Sequence, residues 1–345
     1  MKSTIKLFVL LLAGIVATQG SNLKAQEKTG FHALTTFGIK TDDYRGDVTI
    51  DTALNRLYVS HGMQVNILDA ATGDSLGCIH SANEVRHVVI AADFNKGYIC
   101  KGGVTNIAVF DLKTSQILRQ INVGADTYSI FYDDFSKKVY AFNHWGKNAT
   151  IIDAKTDSVI TVIPLGGQPY IGVSDGKGKI FVSIGDTGEV VEINAATDKI
   201  LNRWKLPGVS WRDGMAIDLK TSRLFIAGGG DNLALHSMFV LDAANGKTVS
   251  KIPVGLCDDI AFDPELKLVY ILSERSMAII RELSANKFEF VENIPIGYGY
   301  QTIALDEKTH KLYSASSAYL PAPRAAASRR PYILYGTFHV LVVGK

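Results

Sequence analysis

The sequence predicts an all-β fold assembled from seven similar four-stranded units, and three observations predict it. An aspartate closes a short apolar run at Asp51, Asp93, Asp133, Asp175, Asp218, Asp263 and Asp306, at intervals of 42, 40, 42, 43, 45 and 43 residues. A few residues after each aspartate comes an aromatic-led strand: LYVS at 57–60, YIC at 98–100, VYAF at 139–142, IFVS at 180–183, LFIA at 224–227, VYIL at 269–272 and LYSA at 312–315. Between these marks the runs are short, alternate with period two and contain no helical stretch, and the chain holds 31 glycines for tight turns.

Each unit then reads in order. The first strand ends on the aspartate, whose carboxylate can accept hydrogen bonds from backbone amides two residues on and so closes a turn. The second is the aromatic-led strand. The third runs into an Asp or Asn turn, as in VNILDAATG (65–73), IAVFDLKTS (107–115), ATIIDAKTD (149–157), VVEINAATD (190–198) and MFVLDAANG (238–246). The fourth ends on IPLG (163–166), IPVG (252–255) or IPIG (294–297) in several units. Such a sheet cannot cover its own faces, and packing each against the next around an axis buries both. The expectation is a seven-bladed β-propeller of four-stranded antiparallel blades. The seventh unit begins near Tyr300 and stops after FHVLVVGK (338–345), one strand short, while FHALTTFGI (31–39) precedes the first unit as a spare. The last blade is therefore expected to be closed by the N-terminal strand, giving one propeller domain over 31–345.

Residues 1–25 read as a signal peptide. Lys2 and Lys6 precede an apolar run, LFVLLLAGIVA (7–17), too short to span a bilayer, with small or polar residues behind it. The expected location is periplasmic or extracellular. Losing Lys2, Lys6 and Lys24 takes the net charge from +2 to −1, which argues against strong attraction to nucleic acid or anionic membrane. Cys78, Cys100 and Cys257 form no disulfide or metal pattern. Cys78 and Cys100 fall in strands, where a thiol acts as a small hydrophobe, and Cys257 falls in a loop; three structural thiols are expected, with Cys257 the one to test for reactivity.

The LYVSH run (57–61), the DAATG and DAANG turns (69–73, 242–246) and the IPVG ends resemble the YVTN-family propeller repeats of exported and surface-layer bacterial proteins. The resemblance covers 31–345. The second unit departs from it with YIC, and the sixth lacks the DAATG turn. It implies the fold and export, but no chemistry, because the recurring residues are structural.

Function is expected where the units differ, at the connections of one end of the channel. The fourth-to-first connections carry Asp47, Arg86, His87, Tyr128, Tyr170, Trp211, Arg212, Asp213, Asp258, Asp259, Tyr300 and Gln301, and the second-to-third connections carry His61, His144 and Trp145. Arginine and aromatic enrichment suits recognition. Arg86 and Arg212 could present donors to an anion while Trp211 and the tyrosines stack a ring. GVSDG (172–176) lacks the strand-to-helix setting of a nucleophile elbow. The sequence thus points to a monomeric binding propeller with no catalytic residue, metal or cofactor assigned, taking a protein, a glycan or a small anionic ligand. A hydrolase or lactonase-like propeller using loop acids such as Asp213 and Asp259 and a channel metal is the alternative. Single-stranded nucleic acid is a third, through the basic insertion AYLPAPRAAASRRPY (318–332), and is opposed by the near-neutral charge.

Overall fold

The computed structural model describes residues 28–41, 43, 45–206, 214–229, 236–273, 275–320 and 332–345. The expected signal peptide, Trp211, Arg212, Asp213 and most of the 318–332 insertion lie outside the described residues. No helix among the described residues is long and apolar enough to cross a membrane.

The chain is all β. Five separate four-stranded antiparallel sheets follow one another. They are β6 (Val85–Ala91), β7 (Lys96–Lys101), β8 (Asn106–Asp111) and β9 (Ile117–Asn122); β10 (Thr127–Asp133), β11 (Lys138–Asn143), β12 (Asn148–Asp153) and β13 (Ser158–Pro164); then β14 (Pro169–Ser174), β15 (Lys179–Ile184), β16 (Glu189–Asn194) and β17 (Lys199–Lys205). Next come β18 (Met215–Asp218), β19 (Arg223–Gly228), β20 (Ser237–Asp242) and β21 (Thr248–Pro253), and β22 (Asp259–Asp263), β23 (Leu268–Leu272), β24 (Ser276–Ser284) and β25 (Lys287–Pro295). Eight of the remaining ten strands share one sheet with two halves. One half is β2 (Arg45–Asp51), β3 (Arg56–His61), β4 (Gln64–Asp69) and β5 (Ser75–His80). The other is β26 (Ala304–Asp306), β27 (Lys311–Ser316), β30 (His339–Gly344) and β1 (His32–Gly38). Only Arg45↔Ser316 and Gly46↔Ala315 join the halves. A two-stranded ribbon, β28 (Tyr319–Leu320) with β29 (Tyr332–Ile333), flanks the insertion.

The first strands touch in the order β2, β6, β10, β14, β18, β22, β26 and back to β2, so the sheets stand around a common axis. Burial follows from that. β3, β7, β11, β15, β19 and β27 are buried along their length after the first residue, whereas the outermost β9 and β17 are mostly exposed. The period-two alternation expected from sequence is therefore lost in the second strands, because a neighbouring sheet covers each of their faces.

The recurring residues have clear local jobs. Asp51 accepts from the amides of Ala53 and Leu54 at 2.9 and 3.0 Å, and Asp175, Asp218, Asp263 and Asp306 also accept from an amide two residues on. Asp93 departs from this: it lies in a 3-10 turn (Ala92–Phe94) and pairs with Lys137. The basic residue that opens the second strand reaches the turn of the next sheet. Lys138 Nζ donates to the Ala195 carbonyl and to Asp198, all at 2.8 Å, and Arg56 donates to the Leu112 carbonyl at 2.7 Å. The repeated tyrosine does the same from within the core: Tyr98 Oη reaches the Ala154 carbonyl at 3.1 Å and Asp157 at 2.8 Å, and Tyr313 reaches the Ala70 carbonyl at 3.1 Å. Tyr98→Phe keeps the ring and removes one of two donors to the Ala154 carbonyl and to Asp157, both of which Lys96 Nζ still reaches at 3.1 and 2.9 Å. A loss of about 1–2 kcal/mol is expected, read as a lower denaturant midpoint with an unchanged m-value.

The N-terminal strand pairs antiparallel with β30, from His32↔Gly344 to Gly38↔His339. Its side chains enter two different cores. Phe31 packs with Tyr270 and Leu341 on one flank, and Phe37 and Ile39 pack with Val48 and Leu57 on the other.

Candidate functional site

A cavity of about 500 Å³ opens among the beginnings of the first strands, lined by Asp47, Arg86, His87, Tyr128, Tyr170, Asp258, Asp259 and Gln301 among others. The structure thus brings together much of what the sequence singled out, but places it differently. Arg86, His87, Tyr128 and Tyr170 lie within β6, β10 and β14 rather than in connections. The reason is a repeated irregularity. The register slips between Val85 and Val88, between Thr127 and Ser129, and between Pro169 and Gly172. In each, one extra residue stands on the inner strand, and such a bulge re-aims side chains.

Bulged residues lose ladder partners, and the preceding sheet supplies replacements. Ser60 Oγ donates to the Arg86 carbonyl at 2.5 Å, Cys100 Sγ to the Thr127 carbonyl at 3.0 Å, and Ser129 Oγ to the Tyr170 carbonyl. Ser60 and Cys100 occupy the same place, the last residue of LYVS and of YIC. That recurring small donor was the sequence signal for these positioning groups, and reading Cys100 as a hydrophobe alone missed it.

Arg86 does not stand free to receive an anion. Its Nη1 pairs with Asp126 at 3.1 Å and donates to the Thr127 carbonyl at 3.4 Å, and its guanidinium lies 5.8 Å from the centre of the Tyr128 ring. His87 Nδ1 contacts Asp47 Oδ2 at 2.6 Å. Burial opposes charge on this imidazole, but the Asp47 carboxylate, helped by Asp259, outweighs it and raises the pKa. Asp259 accepts from the amides of Ile260 and Ile303, both at 2.8 Å. Burial, reinforced by Asp47 and opposed by those two amides, lifts its carboxyl to about 7.

The remaining candidates divide. His144 is buried behind the wall, its ring 4.7 Å from Tyr170 and 5.5 Å from Tyr128, and Trp145, 68% exposed, stands edge-on to it at 4.9 Å. The aromatic row Tyr128–Tyr170–His144–Trp145 thus leads from the cavity to solvent. Tyr300 is not at the site: it is a core residue, 4% exposed, with its hydroxyl 2.6 Å from His339 Nε2. The sequence placed it with the connection, but its ring packs with Tyr270 and Ile296. Cys257 is likewise buried, as a structural thiol would be, and its Sγ faces the Asp259 carbonyl at 3.6 Å. Burial raises the Cys100 thiol to about 12. Among the described residues no group of three or more His, Cys, Asp or Glu is arranged to hold a metal ion.

The two cavity groups give stability a pH dependence. Folded Asp259 keeps a proton that the unfolded chain releases near pH 4, so its contribution falls as pH rises toward 7. His87, raised in the fold, contributes below its unfolded value and loses that contribution as pH rises through the folded one. Both signs agree. Unfolding free energy should be higher at pH 6 than at pH 8 by on the order of 1 kcal/mol from Asp259 alone. Chemical denaturation at the two pH values checks this, and Asp259→Asn should remove most of the difference.

No protein-family model matches the chain, and no curated protein matches it. Solved structures do. The chain is similar to hydrazine synthase from Kuenenia stuttgartiensis, with a TM-score of 0.72 at 16% identity over 81% of this chain and 94% of that one. It is also similar to the WD40 repeats of RRP9, with a TM-score of 0.71 at 9% identity over 90% of this chain and 98% of that one. The third is U3-55K, with a TM-score of 0.69 at 10% identity and the same coverages, 90% and 98%. At these identities the likeness carries the fold alone, and that fold is a β-propeller.

Proposed function

We propose that the protein is an exported, non-enzymatic binding propeller of seven blades and YVTN type, and that it holds a ligand in the cavity at the head of the first strands. One observation carries the reading. Three consecutive inner strands each spend a bulge at the cavity wall, which turns His87, Tyr128 and Tyr170 toward one space of about 500 Å³. Irregularities that break the innermost ladder of three consecutive sheets at the cavity end, each repaired from the preceding sheet, suit a shaped binding wall better than a filled channel. The lysine-led apolar segment at 7–17 supports export. The exposed Trp145 extends the contact surface beyond the cavity mouth, where a larger ligand or a partner could rest on it.

The test is a titration followed by amide resonances. Maltotriose, citrate and choline stand for glycan, anion and organic cation. At least one should shift the Ile260 and Ile303 amides, which report on Asp259, and Tyr128→Ala should suppress the shift while leaving the spectrum otherwise folded. If no probe class moves these amides, the cavity is not the binding site. Export is checked separately by N-terminal sequencing of the periplasmic protein, which should begin beyond residue 17.

A further inference from the structure

Resting on that reading of the cavity, we propose that the group it takes is an organic cation, an alkylammonium or guanidinium, and not an anion. The charged or titratable groups facing the space are Asp47 from β2, His61 at the end of β3, Glu84 and Arg86 with His87 at and beside the start of β6, and Asp258 with Asp259 at the start of β22. Four are acids. Of the three basic groups lining the space, Arg86 is held by Asp126 and the Thr127 carbonyl, His87 by Asp47, and His61 by Asp43 at 2.6 Å. An incoming anion would meet carboxylates without a free cationic fork to receive it. The aromatic wall points the same way. The face of Tyr128 already has a cation near it, the guanidinium of Arg86 at 5.8 Å, and Tyr170 stands edge-on to Tyr128 at 4.9 Å. Ring faces beside carboxylates are how organic cations are recognised, because the ring quadrupole attracts charge without demanding hydrogen bonds.

Proton linkage adds a signature that mere packing does not have. At pH 6 Asp259 is mostly protonated and at pH 8 mostly ionised, and His87 adds repulsion at the lower pH, so cation affinity should rise with pH. The size expected is about tenfold between the two.

Choline and its uncharged isostere 3,3-dimethyl-1-butanol are titrated into the full chain at pH 6 and pH 8, with citrate as the anionic arm, reading the Ile260 and Ile303 amides. Choline should bind about tenfold better at pH 8 and outcompete the isostere. Asp259→Asn should remove most of the pH dependence, leaving the part due to His87. Glu84→Gln, at an exposed position where folding is not at issue, should weaken choline by a few-fold. Equal binding of choline and the isostere, or preferential binding of citrate, overturns the cation inference while leaving the cavity as the site. Silence from all three overturns the cation inference, and silence from maltotriose as well overturns the cavity reading.

Discussion

A chain that begins at residue 40 is expected to lose most of its stability relative to one that begins at residue 28. The shorter chain lacks a strand that pairs along β30 and the three apolar side chains Phe31, Phe37 and Ile39, which are 3%, 9% and 7% exposed. Burial of three such side chains contributes roughly 5–9 kcal/mol in all, the same order as the whole stability of an ordinary domain, about 5–15 kcal/mol. The loss also spreads to both neighbours. Phe31 packs 5.2 Å from the Tyr270 ring, and Thr29 donates from its amide and hydroxyl to Glu292 at 2.7 and 2.5 Å, all in the β22–β25 sheet. On the other side Phe37 covers Gly73, where even a methyl group would overlap its ring at 2.3 Å. Thermal unfolding of the two chains is the measurement. A midpoint lowered by many degrees is expected, with partial recovery when a peptide of residues 28–39 is added in trans. Midpoints within a few degrees would mean that the ring holds without the pairing of β1 with β30, and the closure argument would fail. Phe37→Ala alone should cost about 3–5 kcal/mol.

The second large effect is expected at Gly214, which stands just before β18 and presses on the strand that bears Asp259. A Cβ there would lie 2.0 Å from the Ile260 nitrogen and 2.5 Å from the Asp259 carbonyl carbon. Those are backbone atoms, so no rotamer change relieves the clash. The strand itself has little freedom, because the Ile260 amide donates to Asp259 Oδ1 and β22 is paired with β23 over its whole length. Gly214→Ala should therefore force β18 and β22 apart. A loss of about 3 kcal/mol or more is expected, at the upper end for overpacking. The same displacement should move the Asp259 carboxyl, so the amide shifts of Ile260 and Ile303 should change in the variant even under conditions where it stays folded. Wild-type-like stability would show that the two strands can part without cost.

The skeleton of the fold was legible in the sequence because it depends on residues whose reasons are local. Asp51 and Asp263 close turns with their own following amides, and a turn of that kind is written in consecutive residues. The missing fourth strand of the last unit was legible too, since FHALTTFGI lies where it was wanting and pairs there as β1. The cavity lining was legible in part of its membership, Arg86, His87, Tyr128 and Tyr170, and not in its geometry. His87, Tyr128 and Tyr170 were chosen because they break the repeat, but a bulge shifts the side-chain direction by one residue, and the pattern that fixes it is the set of donors on the neighbouring sheet. Arg86 illustrates the limit. Its usefulness to an anion depended on Asp126, forty residues on, being elsewhere. Tyr300 illustrates the reverse, an aromatic residue at a connection whose ring found the core before the cavity.

The pairing of β1 with β30 also sets an order in time. Strand β1 precedes all the other described strands and its partner β30 follows them, so β1 waits unpaired until β30 is in place. It carries the longest sequence separation of any ladder among the described residues, and loop closure over that span is slow. Until then the half-sheet β26–β27–β30 presents an open edge to any strand that comes by, including the β1 of another copy. Dilution, rather than added stability, is what favours a chain accepting its own first strand.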